Sequence, residues 1–153
     1  MNPRHAASVL GGIISVLASV VGGCNKSNVP DNGKPTNLTP GIVVQLRHGS
    51  RLRVIQTSSS HAIVVQLQGM CRFRIDPPRP SLSDSQYLIV QTRGASIETA
   101  YAEFQVLARS DTTEVSVSYI PSLSERRSDV TVTSRTALAQ PIHLQEGMAL
   151  RLP

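Results

Sequence analysis

The sequence contains no tryptophan, and its only aromatic residues are Phe73, Phe104, Tyr87, Tyr101 and Tyr119. A surface that stacks bases needs exposed aromatic rings beside clustered Lys and Arg. Here the basic residues are dispersed among acids, with no like-charged block beyond pairs such as Arg126-Arg127. No nucleic-acid partner is expected. The formal charge of +5 suits a soluble surface with some attraction for anionic head groups. Cysteine is equally scarce. Cys24 and Cys71 cannot build a disulfide framework, and Cys71 is expected as a small buried apolar side chain.

The patterns that carry catalysis are also missing. His48, His61 and His143 stand singly, without metal-ligand spacing. There is no glycine-rich phosphate loop and no G-x-S-x-G elbow. Asp76, Asp84, Glu98, Glu103, Asp111 and Glu114 single out no carboxylate pair. An active site needs convergent groups, so neither enzymatic activity, a cofactor, a metal nor a small-molecule substrate is expected.

Helical periodicity is absent downstream of Pro40, and alternation of period two takes its place. Val44/Leu46, Leu52/Val54, Ile63/Val65/Leu67, Cys71/Phe73/Ile75, Leu88/Val90, Phe104/Val106, Val115/Val117/Tyr119, Val130/Val132, Ile142/Leu144 and Met148/Leu150/Leu152 each alternate with other, mostly polar residues. Turn signals separate the runs: His48-Gly49-Ser50, Ser58-Ser59-Ser60, Gln68-Gly69, Asp76-Pro77-Pro78, Arg93-Gly94, Ser110-Asp111 and Glu146-Gly147. Such spacing predicts many short, half-buried strands. The expected fold is all-β, a single domain over residues 41–153 of mainly antiparallel strands, as a sandwich, roll or twisted solenoid. "SLSERRS", Ser122 to Ser128, reads as a polar loop that lengthens a hairpin between Val117 and Val130. Arg47, Arg51, Arg53, Arg72 and Arg74 fall on the outward phase of neighbouring strands as a candidate basic surface. They could form a strip that meets lipid phosphate or an acidic partner, against the plainer reading of a charged solvent face.

Upstream, residues 25–40 ("NKSNVPDNGKPTNLTP") hold two aliphatic side chains, too few to order themselves, and read as a flexible tether. Residues 6–23 form the one long uncharged run. It is diluted by Gly11, Gly12, Ser15, Ser19, Gly22 and Gly23, it follows Arg4, and its apolar centre has the length of a secretory h-region. Val21-Gly22-Gly23-Cys24 resembles a bacterial lipoprotein cleavage site, in which small residues precede an obligatory cysteine. The resemblance implies a signal peptide over residues 1–23, cleavage after Gly23, lipidation of Cys24 and a tether over 24–40. Several acyl chains would be needed, because one alone anchors only marginally. Asn25 stands where a retention Asp would, so the expectation is the periplasmic face of a bacterial envelope, outer rather than inner membrane. An uncleaved signal anchor is the alternative. Asn37-Leu38-Thr39 fits a glycosylation pattern and is read as chance.

The β segment resembles the periplasmic domain of the FecR family of envelope regulators. "LRHGSRLRVIQTSS" is similar to the family's opening hairpin, with His48 at its acidic or amide turn position. "VVQLQGMCRFRI" is similar to its L-x-G-x-A-x-F-x-V run: Leu67, Gly69, Phe73 and Ile75 match, and Cys71 replaces the Ala. "YLIVQTRGASIETAYAEFQV" matches the following segment at Phe104 and Val106, with Ala102 and Glu103 in place of a Gly-Thr pair. "TTEVSV", "DVTVTS" and "IHLQEGMALRL" resemble the closing strands, with Gly147 at the terminal glycine. The resemblance implies a sensory or binding module that meets an envelope protein. Only Met1 to His5 precede the apolar run, so anti-sigma activity is not expected to carry over with the fold. A structural envelope lipoprotein, or a membrane-anchored FecR-type regulator, are the other readings.

Overall fold

A computed structural model describes residues 27–77, 86–120, 129–135 and 140–153. Twelve strands follow in chain order: β1 (Ser27–Asn28), β2 (Pro35–Thr39), β3 (Ile42–Leu46), β4 (Arg51–Thr57), β5 (His61–Ile75) and β6 (Tyr87–Gln91). They continue with β7 (Ala95–Thr99), β8 (Glu103–Ala108), β9 (Thr113–Tyr119), β10 (Val130–Ser134), β11 (Ile142–Leu144) and β12 (Ala149–Leu152). No helix occurs among the described residues. The all-β expectation therefore holds, as does mainly antiparallel pairing. Among the described residues only β5 and β6 run parallel, with His61 opposite Tyr87 and Val65 opposite Gln91.

The sheet is organised by β5, whose fifteen residues belong to two halves. Its first part pairs with β4 and β6, and that half continues through β7, β10 and β11, with β1 on the far edge of β4. Its second part pairs with β3 and β8, and that half runs on through β9 to β12, with β2 outside β3. The inward residues of both halves merge in one core. At its centre Phe73 lies opposite Phe104, both fully buried, with ring centroids 5.3 Å apart in a stacked arrangement. Burying a side chain of that size contributes about 1.5–3 kcal/mol, so these two rings fill the centre of a core otherwise made mainly of Val, Ile, Leu and Ala, with Cys71 and Tyr101. A buried hydroxyl pair, Thr92 Oγ1 and Thr113 Oγ1 at 2.9 Å, links the end of β6 to the start of β9 across the halves.

Four expectations need correction. The Gln68-Gly69 turn is a kink inside β5, because the strand passes through it without reversing. Gly69 adopts φ +83°, and a Cβ there would lie 2.6 Å from the Ser50 Cα. Both facts restrict the position to glycine. Ser50, itself buried, fills the kink: its hydroxyl donates to the Met70 carbonyl (2.8 Å) and accepts from the Met70 amide (3.0 Å). The extra residue shifts the side-chain phase, as a bulge does. Inward residues are Ala62, Val64 and Gln66 before the kink and Cys71, Phe73 and Ile75 after it. Ile63, Val65 and Leu67 thus face outward, the reverse of the phase expected for that run.

Second, order begins well before residue 41. Ser27 and Asn28 pair with Val54 and Arg53, the Val29 amide donates to the Leu52 carbonyl, and β2 pairs with β3. Val29 and Thr39 are buried. The tether expected over 24–40 is therefore part of the sheet from Ser27 onward. Ladder hydrogen bonds on a ready-made edge replace the apolar surface that this segment lacks. Third, β9 and β10 lie in different halves and do not pair, so Val117 and Val130 are not hairpin partners. The loop Ser122 to Ser128 lies outside the described residues. Fourth, Tyr119, Ile142 and Met148 are exposed rather than inward; they stand at strand or turn ends, where the alternation no longer meets the core.

Candidate functional site

Gly23 and Cys24, the expected cleavage and lipidation residues, lie outside the described residues. Three residues beyond Cys24, at Ser27, β1 begins on the edge of β4. The groups around that junction are therefore the ones nearest the expected anchor.

The five arginines expected as one basic surface divide between the halves. Arg51 and Arg53 project from the exposed face of β4 and line a shallow groove of about 530 Å³ with Asn28, Asp31, Leu67 and Gln68. Neither has an ion-pair partner among the described residues. Arg72 and Arg74 project from the second part of β5, in the other half. Arg72 is paired with Glu103 on β8, and Arg74 with Asp76 at 3.2 Å. Arg47, in the turn after β3, shares a smaller hollow with Arg72, Gln45, Met70 and Gln105. The single strip is thus corrected to two clusters, because β5 carries the even-numbered arginines out of the half that holds β4. The neutralised pair stands on the second half and the unpaired one beside β1.

Sequence reasoning missed the apolar members of the first cluster. Val65 lies directly opposite Arg53 across the ladder, and Ile63 opposite Ile89. Leu67 is half exposed on the same outward phase. The one signal of the reversal is Gln66, a polar residue flanked by Val65 and Leu67, for which alternation predicts an outward position. It is buried instead, its amide nitrogen donating to the carbonyls of Gly69 (2.7 Å) and Val106 (2.9 Å).

The titratable groups keep to separate neighbours. His143 lies 2.7 Å from Asp129, His48 3.8 Å from Asp31, and His61 accepts or donates at 2.8 Å with Ser60. Among the described residues no three His, Cys, Asp or Glu side chains converge on a common point. Tyr87 donates to Glu98 at 2.5 Å; burial first, and that carboxylate second, push its hydroxyl up to about 12. Cys71 is fully buried, as expected, and burial, with a smaller contribution from the charge of Asp31, pushes its thiol up to about 12. An inert thiol follows, because reactivity requires the thiolate.

No family model matches the sequence, and no curated protein does so either. Two crystal structures of a protein from Parabacteroides distasonis, described as a "putative anti-sigma factor", share the fold. Each gives a TM-score of 0.57 at 20% identity over 82% of this chain. The match takes in 59% of the neighbour's length, so this chain corresponds to somewhat more than half of that protein. At this identity the likeness establishes the fold.

Proposed function

We propose that the protein is a lipid-anchored, periplasmic FecR-like module that acts in envelope signalling through contact with another protein. The observation that supports this most is the coincidence of two independent likenesses. The ordered motifs of the β segment resemble a family of envelope regulators, and the fold matches that of a protein described as a "putative anti-sigma factor". What the architecture offers is exposed strand edges and side-chain faces, the usual means of protein recognition. Cys24 carries the lipid in this reading, after cleavage at Gly23, and outer-membrane placement follows from Asn25.

The test is genetic. Cells lacking the gene should show a defined set of transcripts changed under envelope stress or nutrient limitation. Wild-type protein should restore them, and Cys24→Ser should not. If transcripts are unchanged while envelope shape or permeability alters, the protein is a structural lipoprotein and the signalling reading fails.

A further inference from the structure

We propose that the outer face of β4 and the first part of β5 rests on an anionic bilayer surface. The proposal depends on reading residues 6–23 as a membrane anchor, whether cleaved before Cys24 or retained. In both cases Cys24 sits at the membrane, and only Asn25 and Lys26 separate it from Ser27. Three residue steps span at most about 11 Å. A flexible tether of sixteen residues would average roughly 22 Å and leave the domain free to tumble. With β1 paired to β4, the edge of the first half is instead held against the bilayer.

The face next to that edge has the composition such a position requires. Arg51 and Arg53 point outward without ion-pair partners among the described residues, beside Ile63, Val65, Leu67 and Ile89 on the same outward phase. Guanidinium groups bind lipid phosphate in a bidentate manner, and aliphatic side chains settle at the boundary between head groups and acyl chains. Two carboxylates border the face, and each is engaged: Asp31 accepts the Gly49 amide at 2.7 Å, and Glu98 accepts the Tyr87 hydroxyl. The outward arginines of the second part of β5, Arg72 and Arg74, are by contrast already paired to acids. Unpaired positive charge therefore coincides with the exposed Leu67 and the half-buried Ile63, Val65 and Ile89 on the face next to the strand from which the anchor departs.

The test uses the full-length protein purified from membranes and placed in vesicles of phosphatidylcholine and phosphatidylglycerol, with or without brominated acyl chains. Because the chain has no tryptophan, Leu67→Trp supplies a sole reporter on this face. Ser116→Trp, exposed on β9 in the other half, is the control. Bromolipid should quench Leu67→Trp and leave Ser116→Trp bright. Adding Arg51→Gln or Arg53→Gln should lower the docked-to-undocked ratio by roughly fivefold per charge, and high salt should do the same. In the unsubstituted protein, anionic vesicles should shield Arg51 and Arg53, but not Arg151, from arginine-specific labelling. Flotation separates the two levels of the claim. Protein that floats while Leu67→Trp stays unquenched, or is quenched no more than Ser116→Trp, overturns the docking and frees this face for a protein partner. Protein that does not float overturns the anchoring reading, and the docking with it.

Discussion

Gly69 shows how one residue sets the geometry of the molecule. It combines φ +83° with a Cβ position 2.6 Å from Ser50, so substitution meets both a backbone cost and a collision with main chain. Gly49 has the same φ but open space around it. Gly49→Ala should therefore cost about 1–2 kcal/mol, the left-handed backbone penalty alone. Gly69→Ala adds overpacking of about 1–3 kcal/mol to that penalty. Urea unfolding of the two variants measures the difference, and equal losses would contradict the role given to Ser50. Cys71 makes a second prediction at this scale. Its thiol is held neutral by burial, from an ordinary value of 9.0 up to about 12. A group whose folded pKa is raised gives stability that is fully present below the unfolded value and lost as pH rises through the folded one. The melting temperature should accordingly fall between about pH 9 and 12, with Tyr87 adding to the fall from 10 upward. At pH 8 Cys71 should resist a thiol reagent until the protein is unfolded; rapid reaction in the native state would contradict its burial.

Among the elements, the strands were legible wherever one face is apolar and the other polar. Val44/Leu46, Leu88/Val90, Phe104/Val106 and Val130/Val132 are inward as their alternation indicates. The first part of β5 defeated that reasoning because both its faces carry aliphatic residues: Ala62 and Val64 inward, Ile63 and Val65 outward. Only the polar Gln66 distinguishes the phases, and it is buried because the kink leaves the Gly69 carbonyl to be satisfied. The segment before residue 40 was misread for a related reason. Its order derives from backbone pairing with β3 and β4 and from polar contacts such as Thr39 with Gln86, neither of which leaves a hydrophobic period. Hydrogen exchange decides between strand and tether. The Val29 amide, bonded to Leu52, should be protected to nearly the extent of the β5 amides, whereas exchange at the unstructured rate would restore the tether.

For the whole molecule, the candidate site was legible only in part, since the five arginines are readable as outward but their division between two halves depends on which strands β5 joins. Long-range pairing of that kind has no local signature. The period-two alternation led to an all-β fold, which the structure bears, and two solved structures share that fold. If Cys24 carries the lipid, as proposed, the membrane and the first half of the sheet are adjacent, because β1 starts at Ser27. Intact mass spectrometry of the full-length protein purified from bacterial membranes tests it most directly. The expected chain starts at Cys24 and carries the added mass of a diacylglycerol thioether and an amide-linked acyl chain. A chain that still starts at Met1, or an unmodified Cys24, would contradict it.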